Sequence, residues 1–425
     1  MLPDVRSDFP ALAREARNGG ALAYLDSAAT SHKPLAVLDA EAALNREHNG
    51  SVGRGAHMLA EEATELFEGA RADVARLVGA EAESIVWTEN ATAAINLVAS
   101  GIANATAGVG GADAARFALK PGEEILLTES EHHANIIPWQ IVAQRTGATL
   151  RWIPVDDAGR LDLSSIGDLI TGRTRVVALQ HASNVTGVVH PVEAVTELAH
   201  AFGALVVLDG CQSVPHLPVD LPALGVDFVA FSGHKMLGPT GIGALYGRKE
   251  LLDVLPPSVF GGSTVKTVTM TETTWLDAPY RFEAGSQPVA QAVGMGAAAR
   301  YLLGLGMDEV WAHELEIGKR MRAGVEAIDG VRLLGPSASD PDEVLGLAAF
   351  VVDGVHPHDV GQVLDDAGIA VRVGTHCAQP LHRRLGTPNS TRASAHVYTT
   401  PAEVDAFLEA LAGVRAFFGL GAVSV

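Results

Sequence analysis

The fold is decided by residues 204–243, which read ALVVLDGCQSVPHLPVDLPALGVDFVAFSGHKMLGPTGIG. Two apolar runs lie within this stretch, at residues 204–208 and 228–231, and each ends abruptly in polar residues. The first run leads to Asp209 and the second leads to Lys235. Because functional groups collect at the carboxyl ends of strands in an open α/β sheet, the stretch predicts two neighbouring strands that present a carboxylate and an amine.

A carboxylate and a lysine on neighbouring strand ends are the pair that pyridoxal 5′-phosphate (PLP) requires. The lysine binds the cofactor as a Schiff base, and the carboxylate keeps the pyridine nitrogen protonated so that the ring can accept electrons. Ser232 and His234, just before Lys235, and the Gly/Pro-rich turn after it suit the cofactor phosphate. Transaminases, lyases and desulfurases share these features, so they predict the cofactor and leave the reaction open.

The composition is that of a globular protein with a large core. The chain has 425 residues, of which 48% are hydrophobic, and this length favours two domains. A formal charge of -20, from 50 acidic and 30 basic residues, argues against nucleic acid or an anionic membrane as the main partner. The charged N-terminal residues do not resemble a signal peptide, and the presence of only two cysteines suits a reducing compartment. We therefore expect a cytoplasmic protein.

The order of strand and helix patterns indicates the domain organisation. Strands and helices alternate between residues 84 and 245, which predicts an α/β fold with a mainly parallel sheet of seven-stranded type and helices on both faces. The pattern then changes to that of a smaller α/β unit. We predict a large cofactor-binding domain at residues 21–295 and a small domain formed by residues 1–20 and 296–425. The Gly/Ala-rich segment 101–120 is predicted to be a surface insertion without an assigned role.

Two further strand ends carry candidate site residues. Residues 90–99 are predicted to form a helix capped by Asn90, and its first turn, with Ala91 and Thr92, is a natural phosphate cradle. The next strand leads to His132, whose flat ring either stacks on a cofactor or belongs to an ordinary hydrogen-bonded loop. Adjacent histidines are poor partners for one metal ion, so no metal site is predicted.

With these residues in place, the chain resembles the cysteine desulfurases of the SufS type. These are PLP enzymes of fold type I within the class V aminotransferase family. The resemblance covers nearly the whole chain and follows the family's order of motifs, which are 24-YLDSAA-29, 53-GRGAH-57, 131-EHHANIIPW-139, 183-SNVTG-187, 281-RFEAG-285, 372-RVGTHCAQP-380 and 391-TRAS-394.

The resemblance implies a role for each candidate residue. Lys235 would carry PLP, Asp209 would pair with its pyridinium nitrogen, and His132 would stack on its ring and assist proton transfer. The other expected cofactor contacts are Gln212 on the phenolic oxygen and, around the phosphate, Ala91, Thr92, Ser232, His234 and the neighbouring subunit's Ser286. The expected substrate site consists of Asn184 and Arg392 on the carboxylate, together with Ala29, His57 and Arg372.

Cys377 is the residue that would distinguish a desulfurase from related enzymes. The resemblance implies that its thiolate attacks the sulfur of L-cysteine, which leaves a persulfide on Cys377 and releases L-alanine. Cys377 stands beside His376 and near Arg372, and such neighbours favour a lowered thiol pKa. The other interpretation is a buried structural cysteine, which the polar, glycine-flanked surroundings disfavour. Cys211 is interpreted as a packing residue.

The resemblance also implies partners. It implies a homodimer that donates sulfur for iron–sulfur cluster assembly. The segment 355–359, which contains His358, resembles the subfamily that passes sulfur to the zinc-bearing acceptor SufU, and a SufE-type acceptor is less favoured. A solvent-exposed histidine at the start of a helix is an equally good interpretation of His358.

Three positions depart from the family's pattern. Thr375 stands where many relatives have a second histidine, Ser286 replaces a threonine, and Asn90-Ala91 replaces a Gly-Thr pair. None of them removes a residue that the reaction requires. The alternatives are a selenocysteine lyase or another class V lyase, aminotransferase or epimerase, against which the Cys377 loop argues, and a non-catalytic scaffold, which the retained catalytic residues disfavour.

Overall fold

The structure is a computed structural model that describes residues 2–340 and 344–420. The strands in these ranges are β1 (Ala23–Tyr24), β2 (Ile85–Thr88), β3 (Glu124–Thr128), β4 (Thr149–Ile153), β5 (Thr174–Gln180), β6 (Leu205–Asp209), β7 (Phe228–Ser232), β8 (Gly243–Gly247), β9 (Val265–Val268), β10 (Thr273–Trp275), β11 (Val331–Leu334), β12 (Leu347–Val352), β13 (Ile369–Ala370), β14 (Arg372–Gly374) and β15 (Ser390–Ser394).

The helices in the same ranges alternate with these strands along most of the chain. They are α1 (Leu35–Glu47), α2 (Met58–Leu77), α3 (Ala91–Thr106), α4 (Gly111–Ala114), α5 (Ile137–Thr146), α6 (Ile166–Leu169), α7 (Val192–Ala201), α8 (Lys249–Leu252), α9 (Val289–Leu305), α10 (Met307–Glu326), α11 (Pro357–Asp366), α12 (Gln379–Arg384) and α13 (Pro401–Phe417). None of the helices between residues 2 and 340 or 344 and 420 is both long enough and apolar enough to cross a bilayer.

A sheet of seven strands, counted within the described residues, forms the centre of the fold. Its order is β2-β8-β7-β6-β5-β3-β4. Strands β3 to β7 are parallel, whereas β8 is antiparallel to both of its neighbours. Successive residues of β6 face opposite cores, since Val206 and Leu208 pack on one side and Val207 on the other. The predicted α/β class with a mainly parallel sheet is therefore confirmed.

A second sheet of four antiparallel strands, in the order β11-β12-β15-β14, lies in the C-terminal part of the chain. Helices α10, α11 and α13 contact it, and Phe350 and Phe407 lie in the core between sheet and helices. The sheet places β14 beside β15, so that Arg372 pairs in register with Arg392. The predicted domain boundary at residue 295 falls within α9 and stays a prediction.

The prediction that the whole segment 101–120 is a surface insertion was wrong, since its longest continuous exposed stretch is residues 107–113. Helix α3 continues to Thr106, and Ile102, Phe117 and Leu119 are buried in the core beneath the sheet. Alanine is the strongest helix former, so a Gly/Ala-rich composition does not by itself end a helix. Ile102, Phe117 and Leu119 pack in the core, whereas Val109 is exposed.

A buried ion pair explains the motif that begins at Arg281. Glu283 Oε1 accepts a hydrogen bond from Arg71 of α2 at 2.6 Å, and both side chains are almost fully buried. The backbone N–H of Trp87 in β2 also donates to Glu283 at 2.8 Å. Because a buried charge is tolerated only when it is paired and hydrogen-bonded, Glu283 fixes the start of α9 to the sheet edge.

Candidate active site

A cavity of about 450 Å³ opens where β5, β6 and β7 end. Its lining brings together residues from both sheets. The predicted site residues that line it are Ala29, Ala91, Thr92, His132, Asn184, Asp209, Gln212, Ser232, His234, Lys235, Arg372, Cys377 and Arg392.

Asp209 lies at the base of this cavity as the last residue of β6 and is 6% exposed. Its Oδ1 accepts the backbone N–H of Cys211 at 3.0 Å. Within residues 2–340 and 344–420, no lysine, arginine or histidine forms an ion pair with this carboxylate. A buried carboxylate without a counter-ion is costly, so the position suits a cationic group from outside the chain.

The first turn of α3 faces one end of the cavity. Asn90 caps the helix by accepting the N–H of Ala93 at 2.9 Å, as predicted. The Ser232 hydroxyl accepts the N–H of Ala91 at 2.8 Å, which ties the end of β7 to the helix start. A helix N-terminus with hydroxyl groups beside it is suited to an anion such as phosphate. Thr240 also lines this end and was missed, since it lies within the Gly/Pro-rich turn.

His132 and Lys235 both line the cavity. Lys235 belongs to a 3-10 turn, Gly233–Lys235, directly after β7. The His132 Nδ1 accepts the N–H of Ala134 at 3.1 Å. Burial, and then the Lys235 charge, lowers the pKa of His132 to about 4. His132 is therefore neutral at physiological pH, as a ring that stacks on a cofactor and accepts a proton should be.

Cys377 is exposed, and it lies on a loop in which two residues have left-handed backbone angles. The φ angles of His376 and Cys377 are 48° and 56°. Two hydrogen bonds from the segments that follow β3 and β5 hold the loop: Asn184 Nδ2 donates to the His376 carbonyl at 2.8 Å, and the N–H of His133 donates to the Cys377 carbonyl at 2.7 Å. A non-glycine residue adopts this conformation only when its surroundings impose it.

The two thiols have different surroundings, and the expectation that His376 favours a lowered pKa of the Cys377 thiol was wrong. Burial, and then the Arg392 charge, lowers the pKa of His376 to about 2, so His376 is neutral and supplies no positive charge to Cys377. Arg372 and Arg392 are the guanidinium groups that act on His376 and line the cavity together with Cys377. Cys211 is half-buried in the cavity, where burial and the Asp209 charge raise its pKa to about 12.

Asp26 is a site residue that the sequence reasoning missed. Its carboxylate lies 3.5 Å from Arg392 and 3.6 Å from Arg372, and it does not line the cavity. Arg392 is 2% exposed and also donates to the Asn184 carbonyl at 2.7 Å. The signal was available, because Asp26 is the charged residue in 24-YLDSAA-29. Asp26 therefore pairs with both arginines, one on β14 and one on β15.

Three predicted residues lie outside this cavity. His57 caps α2 by accepting the N–H of Ala60 and is exposed. Ser286 lines a neighbouring cavity, which shares Gly241 with the first one. His358 is exposed in the first turn of α11. The chain by itself does not bring these three residues to the site.

Comparison with known proteins identifies the family. Residues 23–407 match the model of the family Aminotransferase class-V. The chain belongs to this family. A probable cysteine desulfurase 2 of Mycobacterium leprae is 52% identical over 422 residues, which cover 98% of this chain and 97% of that relative.

Solved structures of class V relatives share the fold over the whole chain. The apo structure of a cysteine desulfurase from Thermococcus onnurineus has a TM-score of 0.90 at 37% identity and covers 99% of both chains. A lysine-to-alanine mutant of C-DES, with glycine covalently linked to its PLP cofactor, has a TM-score of 0.78 at 25% identity and covers 96% of this chain and 99% of that chain. The predicted fold type I is confirmed.

The residues of this class V chain fit PLP. Asp209 is a buried carboxylate without a cationic partner among the described residues, as a pyridinium nitrogen requires. The α3 start and Ser232 suit the phosphate, and Lys235 lines the same cavity. The buried Oδ1 of Asn184 has no hydrogen-bond partner within the described chain, which leaves an acceptor for a bound molecule.

Proposed function

We propose that the protein is a PLP-dependent cysteine desulfurase that transfers the sulfur of L-cysteine to Cys377. The observation that carries this proposal is that an exposed thiol, Cys377, and a buried arginine, Arg392, line the same cavity as Lys235 and Asp209. In the reaction, the Cβ–S bond of cysteine breaks and an S–S bond to Cys377 forms. The electron pair left on Cβ takes a proton, so the products are L-alanine and a persulfide.

The residues around Lys235 divide the work of binding and proton transfer. When bound at Lys235, PLP supplies the electron sink that stabilises negative charge at the substrate Cα. Asp209 would hold the positive charge of the ring nitrogen, and the α3 start would hold the phosphate. The freed Lys235 amine would move the Cα proton, and the neutral His132 ring would assist it.

Asn184 links the two ends of the substrate. Its backbone carbonyl accepts a hydrogen bond from Arg392 at 2.7 Å, and its side-chain Nδ2 donates one to the backbone carbonyl of His376 in the loop at 2.8 Å. Arg392 would bind the substrate carboxylate as a two-point fork, while Cys377, next to His376, faces the sulfur. The backbone and side chain of one residue thus connect the carboxylate site to the nucleophile loop, which supports the fixed distance that orientation-dependent catalysis requires.

The test is a single-turnover reaction of the PLP-loaded protein with L-cysteine. We expect one alanine for each persulfide, and mass spectrometry should find the extra sulfur on the peptide that contains Cys377. A keto acid product would instead favour an aminotransferase. Selenide release from selenocysteine without a sulfur adduct from cysteine would favour a selenocysteine lyase.

We further propose that the sulfur acceptor is of the SufU type and serves iron–sulfur cluster assembly. His356 and His358 are exposed at the start of α11 with nearly parallel rings, 5.5 Å between centroids. Helix α11 contacts β14, the strand that leads into the Cys377 loop. In His358→Ala, stimulation of turnover by a SufU-type acceptor should be lost while the unstimulated rate is kept. Gln362→Ala, an exposed change on the same helix, is the control, and an unchanged stimulation in His358→Ala contradicts the proposal.

We also propose a homodimer in which the partner's Ser286 completes the phosphate site. Ser286 does not line the active cavity of its own chain but borders it through Gly241. Mixed dimers of Lys235→Ala and Ser286→Glu test this, because one of their two sites would combine an intact Lys235 with the partner subunit's Ser286. Activity regained on mixing two inactive variants supports the proposal, and no regain in a verified heterodimer contradicts it.

A further inference from the structure

A buried polar cluster lies behind the active cavity and lines no part of it. Its members are His216, Glu314 and His396, which are 3%, 1% and 0% exposed. Nδ1 of His216 lies 2.8 Å from Oε1 of Glu314, and the two histidine rings lie 4.7 Å apart between centroids. The three residues come from the β6–β7 connection, from α10 and from the segment after β15, so they join the two sheets.

The hydrogen bonds of His396 fix which of its nitrogens carries the proton. The backbone N–H of Val397 donates to Nδ1 at 2.8 Å, so Nδ1 is the acceptor. Nε2 must then carry the hydrogen, and it lies 3.3 Å from the carbonyl oxygen of Lys235. Burial, and then His216, lowers the pKa of His396 to about 3, which keeps this neutral form over the working pH range.

The turn that carries Lys235 is held by its backbone carbonyls. The carbonyl of His234 accepts from the backbone N–H and the hydroxyl of Ser31, at 2.9 and 3.0 Å. The carbonyl of Lys235 is the one that faces His396. Both contacts come from outside the strand that precedes the turn, and together they fix the direction in which the Lys235 side chain leaves the backbone.

We propose that His396, oriented by the His216–Glu314 pair, is a positioning residue for Lys235. The inference rests on the proposed function, in which the Lys235 amine carries the cofactor and moves the Cα proton. Misplacing a reacting group by about 1 Å can cost about 100-fold in rate, so a contact to the lysine backbone is enough to matter. The packing around Glu314 supports a fixed geometry, because a Cβ on Gly346 would overlap Oε2 of Glu314.

A metal ion is the competing interpretation of the same three residues. Their ligand atoms lie within 4.8 Å of one another, which is close enough to surround an ion. However, the lone pair of Nδ1 of His396 is already used by the Val397 N–H. Structural zinc also takes four ligands, and this cluster provides three. The hydrogen bonds therefore favour a cluster without metal, and metal analysis decides between the two.

The test compares His396→Phe and His396→Gln in the PLP-loaded protein. Phenylalanine fills the space but cannot donate to the Lys235 carbonyl, whereas the amide of glutamine can. The main measurement is the pH midpoint of the absorbance band of lysine-bound PLP, followed by the rate at which apoprotein recaptures PLP. We expect His396→Phe to shift the midpoint by about half a pH unit or more and to lower kcat about tenfold with KM for cysteine nearly unchanged. His396→Gln should restore most of each effect.

Two further variants keep the inference falsifiable if His396→Phe folds poorly. Glu314→Gln keeps the volume of the side chain and should shift the midpoint in the same direction by a smaller amount. Phe350→Leu, in the core of the second sheet, is a destabilised control that should leave the midpoint unchanged. An unchanged midpoint and recapture rate in His396→Phe would overturn the inference, as would one tightly bound metal ion per chain. A wild-type protein without lysine-bound PLP would instead overturn the proposed function on which the inference rests.

Discussion

The cavity has a floor and a rim that are built in different ways. The floor consists of Asp209 and Ser232, which end buried central strands, and of Lys235 in the turn that follows. The rim consists of His376 and Cys377 on a left-handed loop, whose thiol is exposed. Strand hydrogen bonds on both sides hold the floor. The rim is held by single hydrogen bonds from side chains and backbone groups of neighbouring segments.

This difference matches two kinds of chemistry. A resident cofactor needs groups that keep one geometry through every turnover, and rigid strand ends provide it. A sulfur atom that is passed to another protein needs a carrier that solvent and partner can reach. The two cysteines illustrate the contrast, since Cys211 lies at the floor with a pKa raised to about 12 by burial and Asp209, whereas Cys377 is exposed.

The largest effect is expected when Cys377 is replaced by serine, with the same replacement of Cys211 as a comparison. Cys377→Ser should lower alanine formation from L-cysteine by about 1000-fold or more, because a hydroxyl cannot accept the sulfur as a thiolate does. The absorbance of bound PLP should remain, since the floor is untouched. Cys211→Ser is the matched control and should still form the persulfide. Sustained sulfide release by Cys377→Ser would show that the rim does not carry the sulfur.

Arg392→Lys should have the next largest effect. A lysine keeps the charge but loses the two-point fork to the substrate carboxylate, which is worth about 2–3 kcal/mol. We therefore expect KM for L-cysteine to rise about 30- to 160-fold while PLP binding is kept. Arg383→Lys, an exposed change on α12, serves as the control. A KM within about twofold of wild type would mean that the carboxylate binds elsewhere.

A smaller effect is expected from Asp26→Asn. Asp26 faces Arg372 and Arg392 from behind and does not touch the cavity, so its loss should disturb their orientation without removing them. We expect KM for L-cysteine to rise about threefold to tenfold, in line with a partly exposed ion pair, while kcat is kept. A change in kcat alone would argue that Asp26 acts on the chemical step instead.

Most of the floor could be predicted from the sequence, because its signals are local. The apolar runs that end in Asp209 and Ser232 are short strands, and a strand end dictates where its next residue lies. Strands β6 and β7 begin within one residue of the two apolar runs at 204–208 and 228–231. The segment 101–120 was misinterpreted, because glycine and alanine dilute the apolar periodicity that marks a buried helix.

The rim and its supports could not be predicted in the same way, because they depend on contacts between distant segments. Asp26 meets Arg392 only when the segment after β1 lies beside β15. The sequence predicts a cationic His376 next to Cys377, but the protonation state of His376 depends on its burial by residues that are distant in the chain. Resemblance to a family supplied the role of Cys377, and only the fold shows that Asn184 joins its loop to Arg392.

The last effect is on stability instead of activity: it concerns the pH dependence of stability and separates His376 from an exposed histidine. Burial and Arg392 lower the pKa of His376 to about 2, whereas a histidine in the unfolded chain titrates near 6.5. As the pH falls below about 6.5, the unfolded state therefore binds a proton that the folded state does not, and stability is lost. His376→Gln removes the titrating ring and its contact with the His382 ring, so it should be less stable than wild type at pH 7.5. The difference in free energy of unfolding between wild type and His376→Gln should narrow towards pH 4.5, by up to about 1.4 kcal/mol per pH unit.

Urea unfolding of both proteins across this pH range measures that difference, and the exposed His57→Gln is the control. A difference that stays constant with pH would mean that His376 is protonated in the folded state.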